Sequence, residues 1–357
     1  MKMLWNSRYR RDPAPKSAKS GSDGVTKGDI VASIEMIFGR TPEPALIEYH
    51  RKLGFPDRAA LGRYMISTAE FRDRYAAMTG GGGGAARPIS VFLGDRVLTL
   101  THRGQAIYLV PLDLSLTPAI LLSGTYEPHV EEVVARSIRP GDTVIDIGAN
   151  VGYHTLAMAT AAGTDGRVHA FEANPELMPL LESTMFVNGF SAWNGGSGDY
   201  RVSLYNNAVS DQPGTITLAS APAHFGSGHI ALDTDAADYC TAYPKRVEVA
   251  ATTLDAELAD RLPTVDFLHM DIEGAEPLAL RGGQALIERS PQLKIVTEWS
   301  VGMMSTRADV AAHVDWLIGL GFRFWVIELG ATLTGIDARS ALNLPLCDLF
   351  ISRADPV

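Results

Sequence analysis

The chain has 357 residues, of which 46% are hydrophobic, so it is long enough for one large and one small domain with full cores. Its formal net charge of −10 argues against a nucleic-acid substrate, because contacts to phosphate dominate such binding. Two distant cysteines exclude a disulfide framework and a metal finger, and no apolar run suits a signal peptide or a membrane span, so we expect a cytoplasmic chain without an integral membrane segment.

The first segment of the chain, residues 1–27, is expected to be a disordered basic arm. It contains seven basic residues against two acidic ones and few apolar residues. Such a composition does not bury enough apolar surface to fold. A tether to an anionic surface is the alternative, and a solvated tail is the interpretation that we adopt.

Helical periodicity covers residues 28–78 and predicts a small all-α domain. The strings I-F-G-R-T-P-E at 37–43 and S-T-A-E-F at 67–71 resemble a small helical domain of unknown function that occurs in bacterial surface and glycan-processing proteins. We interpret it as an auxiliary module without chemistry. Five consecutive glycines then predict a flexible linker over residues 79–88.

Residues 89–357 are expected to form the larger domain, an α/β fold. Two strand-like runs at 90–101 and 106–111 come first. After them strands and helices alternate, which predicts a mostly parallel sheet with helices on both faces. Strands are expected at 167–172, 202–206, 264–271, 293–299, 322–328 and 347–352, and helices at 154–162, 174–188, 276–289 and 306–320.

A glycine turn follows the first strand of this sheet. The β-branched run from Thr143 predicts a buried parallel strand that ends in Asp146 and Gly148, and a helical pattern begins directly after Gly152. This arrangement presents backbone amides and a helix N-terminus to a ligand. Asn150 occupies the place where a dinucleotide site needs its second glycine. The acid at the strand end instead suits a ligand with an ammonium group, such as S-adenosylmethionine.

Two strings of the sequence resemble a known family. D-I-G-A-N-V-G at 146–152 resembles the first motif of class I S-adenosylmethionine-dependent methyltransferases, and V-I-D-I-G-A-N-V-G-Y resembles the FkbM type in particular. M-D-I-E-G-A-E at 270–276 is similar to a second FkbM motif. The resemblance covers roughly residues 89–353 and implies a Rossmann-like sheet with an antiparallel last strand. It also implies that S-adenosyl-L-methionine is bound at Asp146, Gly148, Asn150, Gly152 and Tyr153.

Four further residues are expected to contact this cofactor. Glu172 ends the strand that follows the glycine turn, where a carboxylate accepts the ribose hydroxyls in nucleotide-binding folds. Its alternative role is that of a helix cap. Asn207 and Ala208 close the next strand, where the resemblance places contacts to adenine. Glu127, in the triplet Y-E-P, belongs to the lead-in that resembles the family.

Residues 220–246 break the alternation of strands and helices. They are rich in alanine, glycine, histidine and aspartate. Such an insertion either covers the substrate or is a plain surface loop. His224 and His229 within it are alternative bases that no motif supports.

Acidic residues follow two neighbouring strands. Asp271 lies at the end of one strand, Glu273 follows within a turn, and Glu298 ends the next strand. Because clustered carboxylates raise the pKa of at least one member, Asp271 is the expected general base, with Glu298 orienting the acceptor. Glu273 contacts the substrate or caps a helix. Glu276 is expected to complement a helix dipole. His269, where family members usually have lysine, is expected to be a hydrogen-bonded core residue.

The predicted function is an S-adenosylmethionine-dependent O-methyltransferase that acts on a hydroxyl of a sugar or glycan. A polyketide or peptide natural product is the alternative acceptor. A nicotinamide-dependent oxidoreductase would need the glycine that Asn150 replaces, and a silent binding module would lack the carboxylates of Asp271 and Glu298. These two acids are of the kind that bind divalent cations. No metal-specific spacing supports such a site, so none is predicted. Nothing in the sequence indicates an oligomeric state.

Overall fold

The computed structural model describes residues 25–38, 42–55, 60–61, 64–65, 68, 90–190, 192–194, 201–221, 224–232 and 243–356. The chain divides into two compact units, Met1–Leu100 and Thr101–Val357. Residues 1–24 of the expected basic arm and the whole of the expected linker, 79–88, lie outside the described residues. No helix within the described residues is both long and apolar enough to cross a membrane.

The first unit contains helices and a short hairpin. Helix α1 (Lys27–Phe38) and helix α2 (Pro44–Leu53) share a small core. Proline begins α2 because its fixed φ suits the first helical position, and Gly54 ends it with a left-handed φ of +68°. Strands β1 (Val91–Phe92) and β2 (Val97–Leu100) pair antiparallel. Much of the range 28–78 is not described, so its all-α character stays a prediction.

The second unit alternates strands and helices. In chain order it contains β3 (Ala106–Leu109), α3 (Leu116–Ser123), α4 (Pro128–Ser137), β4 (Thr143–Ile147), α5 (Tyr153–Ala162), β5 (Arg167–Phe171), α6 (Met178–Val187), β6 (Ala192–Asn194), β7 (Val202–Tyr205), β8 (Ala208–Val209), β9 (Gly214–Ala221), β10 (His224–Ile230), β11 (Lys245–Thr252), α7 (Leu254–Leu258), β12 (Phe267–Met270), α8 (Glu276–Gly282), α9 (Gln284–Glu288), β13 (Lys294–Trp299), α10 (Val301–Met304), α11 (Val310–Gly319), β14 (Arg323–Ile327), β15 (Leu333–Ile336), a 3₁₀ helix (Ala338–Asn343) and β16 (Cys347–Ser352).

A nine-stranded mixed sheet forms the centre of this unit. Its strand order is β15-β14-β16-β13-β12-β4-β5-β7-β6. The strands from β13 to β6 run parallel, whereas β16 lies antiparallel between β13 and β14. The expected Rossmann-like sheet with an antiparallel last strand is therefore confirmed. Apolar residues of β4, β12 and β13 pack with those of α8, α9 and α11 in one large core.

Two predicted helices differ from those observed. The range 276–289 forms α8 and α9 instead of one helix, and Gly283 stands between them. A Cβ at this glycine would lie 2.8 Å from a methyl group of Leu254, so close packing against α7 requires the interruption. The range 306–320 forms a helix only from Val310, because the side chain of Asp309 accepts the Ala312 amide and begins it there.

A second sheet contains part of the expected insertion, residues 220–246. Its order is β10-β9-β11-β8, with β9 antiparallel to both neighbours and β8 parallel to β11. Residues 224–230 are therefore a strand, and the alternative of a plain surface loop is wrong for this part. Residues 222–223 and 233–242 lie outside the described residues.

Candidate functional site

A cavity lies beyond the carboxyl ends of β4, β5 and β12, where open α/β sheets bind ligands. The glycine turn, the ends of β5 and β13, the start of α3 and the tip of the β9–β10 hairpin form its walls. The predicted site residues that line it are Glu127, Gly148, Asn150, Tyr153, Glu172, Asn207, Ala208, Asp271, Glu273 and Glu298. Asp146 and Gly152 are not among its lining residues.

Gly148 brings the glycine turn against the end of β12. Its φ is +86°, and a Cβ at this position would lie 2.1 Å from the carbonyl oxygen of Asp271. Only glycine permits this approach, which connects the two motifs. Gly152 serves a different contact, because its Cβ would lie 2.7 Å from Leu181 and 2.8 Å from Met185 of α6. This glycine therefore makes room for a helix.

Backbone strain is concentrated around the cavity. Among the described residues, four other than glycine have positive φ, and three of them line the cavity: Glu127, Asn150 and Glu273, at 45°, 52° and 55°. Such conformations persist where the surrounding structure enforces them, typically at functional sites. Asparagine tolerates the left-handed region, so Asn150 keeps the backbone that a glycine would have.

Glu172 closes the turn through both carboxylate oxygens. Its Oε1 accepts the amide of Asn174 at 2.6 Å, and its Oε2 accepts the amide of Asn150 at 2.8 Å. Burial raises the pKa of Glu172 to about 7, although these two hydrogen bonds oppose the rise. Each oxygen has a second lone pair, so the capping role does not exclude hydrogen bonds to ribose hydroxyls.

Asp146 is fully buried below the cavity. Its Oδ1 lies 2.9 Å from Nδ1 of His269, and its Oδ2 accepts the Thr155 hydroxyl at 2.5 Å. Both oxygens are thus engaged inside the protein, and Asp146 is not a lining residue of the cavity. His269 is the buried, hydrogen-bonded residue that we expected. In addition, it lines the cavity.

Two carboxyl groups at the ends of adjacent strands have unused hydrogen-bonding capacity. Oδ1 of Asp271 and Oε2 of Glu298 are buried and have no hydrogen-bond partner. Burial, followed by the charge of Glu298, raises the pKa of Asp271 well above its usual range. Burial, followed by the charge of Glu273, raises the pKa of Glu298 to about 8.

The loop after β12 has a structural acid and an acid of the site. Glu276 accepts the amides of Ile272 and Gly274, so it closes the loop as well as beginning α8. Burial and the charge of Glu276 raise the pKa of Glu273 to about 7, against the charge of Arg307. Sequence reasoning missed Arg307, which donates to the carbonyl of Ile230 in the hairpin at 2.9 Å.

The sequence marked the segment 113–117 only as part of the lead-in that resembles the family, and it did not predict the contacts of Asp113 or of His154. Asp113 accepts the amides of Leu116 and Thr117 at 2.9 Å and that of Phe225 at 3.2 Å, so it joins α3 to the tip of the hairpin. Its position before a helix is a capping signal that reveals the first contact but not the second. His154 binds Glu127 through Nε2 at 3.3 Å. No local pattern marks that pair.

The described residues contain no group of three or more histidine, cysteine, aspartate or glutamate side chains that could hold a metal ion.

Comparison with known proteins identifies the family. A model of the methyltransferase FkbM domain matches residues 146–324, which is half of the chain. The chain belongs to the FkbM methyltransferase family. It is therefore a methyltransferase that uses S-adenosyl-L-methionine.

The similar proteins are also methyltransferases by name. The chain is 41% identical over 56 residues to a protein-L-isoaspartate O-methyltransferase of Methanocella arvoryzae, which covers 16% of this chain and 30% of that protein. It is 30% identical over 88 residues to protein-L-isoaspartate O-methyltransferase 1 of Arabidopsis thaliana. This match covers 24% of this chain and 36% of the Arabidopsis protein. The FkbM methyltransferase thus spans about a third of the length of these curated relatives.

Two solved structures are similar at low identity. An S-adenosylmethionine-dependent O-methyltransferase from Thermotoga maritima is 14% identical and has a TM-score of 0.36. The match covers 76% of this chain and 88% of the Thermotoga chain. An O-methyltransferase from Bacillus cereus in complex with SAH is 13% identical and has a TM-score of 0.36. The match covers 68% of this chain and 82% of the Bacillus chain.

The donor set of the cavity fits S-adenosylmethionine. Glu172 has carboxylate oxygens at the end of β5 that suit a diol, and the carboxylate of Glu127 suits an ammonium group. Phe171, Val209, Ile216 and Leu218 supply apolar surface for an aromatic base.

We expect the stability of this methyltransferase to fall as the pH rises from 6.5 to 8. The folded pKa values of Glu172, Glu273 and Glu298, about 7, 7 and 8, lie above the usual value of 4.5. Between the unfolded and the folded pKa values, the folded state retains protons that the unfolded state has released, so the free energy of unfolding falls as the pH rises, and the fall ends above the folded pKa values. The expected fall is about 1–2 kcal/mol, measured by urea denaturation.

Glu298→Gln replaces the carboxyl by an amide that does not titrate, so the free energy of unfolding of this variant should depend less on pH. Glu288→Gln, at an exposed position on α9, is the matched control and should leave it unchanged. A wild-type protein that becomes more stable toward pH 8 would contradict the raised pKa values.

Proposed function

We propose that this FkbM methyltransferase transfers a methyl group to a hydroxyl of a sugar or glycan. The observation that carries the proposal is the pair of buried carboxyls of Asp271 and Glu298, each of which has an unpartnered oxygen and lines the cavity where β12 or β13 ends. A carboxyl group accepts hydrogen bonds from hydroxyl groups and, when it carries a proton, also donates one. Two of them side by side match adjacent hydroxyl groups of a sugar ring.

The bound S-adenosylmethionine supplies a methyl group that its sulfonium already activates. The residues of the chain align the acceptor oxygen and exclude water, and alignment alone accounts for several orders of magnitude in rate. Asp271, Glu298 and Glu273 hold the acceptor in this proposal. Residues that hold the cofactor are Glu127, Gly148, Asn150, Tyr153, Glu172, Asn207 and Ala208, with Asp146 and Gly152 supporting them from behind the cavity wall.

The charge of the cavity favours a hydroxyl acceptor over a carboxylate. An isoaspartyl acceptor of the kind named for the curated relatives presents an anion, which the carboxylate of Glu127 repels. Burial opposes the ionisation of Glu127, but the hydrogen bond and charge of His154 outweigh it and lower the pKa of Glu127. This side chain stays ionised at neutral pH. A hydroxyl of a polyketide or peptide natural product remains the alternative acceptor.

The test is methyl transfer from S-adenosylmethionine with a radioactive methyl group to panels of sugars, cell-surface glycans, polyketides and peptides. We expect label in the sugar or glycan panel as a methyl ether that survives mild alkali. Methyl esters of carboxylates are released under the same treatment, so alkali separates the two acceptor chemistries. Label found only in alkali-labile esters, or only in the polyketide and peptide panels, would contradict the proposal.

A further inference from the structure

We propose that His269, oriented by Asp146, is the general base that takes the proton of the acceptor hydroxyl. This inference rests on the proposed hydroxyl acceptor and adds a catalytic residue and a positioning residue to it. It assigns the base to a histidine that the sequence suggested to be only a packed neighbour.

The sheet itself creates the pair. Strands β4 and β12 are parallel neighbours in which Asp146 and His269 stand in register, so their side chains lie next to each other on one face. Oδ1 of Asp146 and Nδ1 of His269 are 2.9 Å apart. The second oxygen of Asp146 is held by Thr155 of α5. The carboxylate has no freedom to turn toward another partner.

The pair defines which nitrogen of the imidazole is basic. A carboxylate only accepts hydrogen bonds, so Nδ1 of His269 carries the proton and Nε2 keeps the lone pair. Because Nδ1 is engaged with the buried Asp146 and His269 lines the cavity, Nε2 is the nitrogen available to a group in the cavity. A buried carboxylate on Nδ1 also stabilises the imidazolium that forms when Nε2 gains a proton, as in other carboxylate–histidine pairs.

A second histidine restrains the ring. The imidazoles of His154 and His269 have centroids 4.8 Å apart and are tilted by 43°. His154 in turn forms a hydrogen bond with Glu127, the residue with strained backbone that precedes α4. The plane of His269 is therefore defined from two sides, which is the preorganisation that a base requires.

Asp271 is poorly suited to remove the proton itself. Burial and the charge of Glu298 raise its pKa, which favours the protonated form, and that form cannot accept a proton. It lies two residues after His269, directly beyond the end of β12, and like His269 it lines the cavity. A neutral Asp271 donates a hydrogen bond to the acceptor, and His269 accepts the acceptor proton. Two groups with opposite roles in one site are a recurrent arrangement in acid–base catalysis.

The step balances without another reactant. The acceptor hydroxyl gives its proton to Nε2 of His269 while its oxygen forms the bond to the methyl carbon. The bond between that carbon and sulfur breaks with both electrons going to sulfur, which leaves S-adenosylhomocysteine and a methyl ether. The imidazolium then loses its proton to water, and the pair is restored.

Several titratable groups face His269 and contribute to its pH behaviour. They are Asp146 on β4, His154 on α5, Glu127 before α4, Asp348 on β16 and Asp271 on its own strand. For this reason the test compares pH profiles of variants and does not depend on a single pKa.

The experiment measures kcat and kcat/KM from pH 5.5 to 9 for wild type, His269→Gln, Asp146→Asn and Asp271→Asn, with calorimetric S-adenosylhomocysteine affinity for each. His169→Gln is the matched control: this buried strand histidine is bonded through Nδ1 to Tyr205, 3.0 Å away, and is not a lining residue of the cavity.

We expect His269→Gln to lower kcat by about 10²–10⁴-fold and to remove the rise of kcat/KM with pH. S-Adenosylhomocysteine affinity should change by less than about threefold, a shift below 1 kcal/mol. Asp146→Asn should lower kcat and move the rise of kcat/KM to a different pH. Asp271→Asn should lose less than about tenfold, because its amide still donates a hydrogen bond. His169→Gln should keep both the rate and the profile.

A second measurement depends neither on turnover nor on whether the variants fold. Nitrogen-15 NMR of histidine-labelled wild-type protein reports the tautomer of His269, which should be protonated at Nδ1. The base assignment is overturned if His269→Gln keeps the rise with pH, if Asp271→Asn alone loses activity, or if the proton resides on Nε2. Failure of the wild type to methylate any hydroxyl would instead overturn the proposed function, and the NMR result would still test the pair.

Discussion

Gly148→Ala should lower the free energy of unfolding by about 2–5 kcal/mol and remove cofactor binding, from the addition of one methyl group. Gly148 has a φ of +86°, which costs an L-residue about 1–2 kcal/mol. The added Cβ would also lie 2.1 Å from the carbonyl oxygen of Asp271, on the backbone directly after β12. Backbone cannot rotate away as a side chain does, so β4 and β12 would have to separate at the cavity.

The measurements for this variant are urea denaturation and calorimetric titration with S-adenosylhomocysteine. Gly302→Ala is the matched control, because a Cβ at Gly302 in α10 meets nothing within 4 Å. That control should be as stable as wild type or slightly more stable. A Gly148→Ala protein with wild-type stability and affinity would show that the turn relaxes, and would contradict the close approach of the two motifs.

Glu172→Ala should weaken S-adenosylhomocysteine binding by about 10²–10⁴-fold. Hydrogen bonds to a charged group contribute about 1.5–3 kcal/mol each, and the variant loses two to the ribose. It also leaves the amides of Asn150 and Asn174 without their acceptor, which loosens the turn. Glu172→Gln should fall between wild type and Glu172→Ala, because its amide oxygen still accepts one of these bonds.

Glu176→Ala is the control for the loss of a nearby acid. Glu176 is about half exposed and forms an ion pair with Lys245, and it is not a lining residue of the cavity. Its removal should leave the affinity unchanged. Equal affinities for Glu172→Ala and wild type would remove Glu172 from the cofactor site and leave it only the role of a turn cap.

Local sequence patterns determined the main features of this FkbM methyltransferase. The D-x-G-x-N-x-G string predicted the strand, the turn and the helix that follow one another from Thr143 to Ala162, and the structure has them at those positions. The M-D-I-E-G-A-E string placed Asp271 at a strand end, which is where β12 ends. Such features depend on residues within one or two turns of each other, so their periodicity and glycine spacing are visible along the chain.

Contacts between distant residues were decided only by the tertiary structure. Asp146 and His269 are 123 positions apart, and their pairing follows from the adjacency of β4 and β12 in the strand order. Phe225 meets Asp113 across 112 positions because the hairpin of the second sheet folds over the cavity. Neither adjacency leaves a periodic signal in the sequence.

The protonation of the acids is a further feature that only the tertiary structure decides. The sequence placed Asp271, Glu273 and Glu298 near one another and predicted that at least one pKa rises. Which carboxyls keep their protons depends on how deeply each is buried and which charges surround it. Desolvation arises from the packing of all elements around the cavity. For that reason the acids were predictable from the chain alone, whereas their division of roles with His269 required the folded structure.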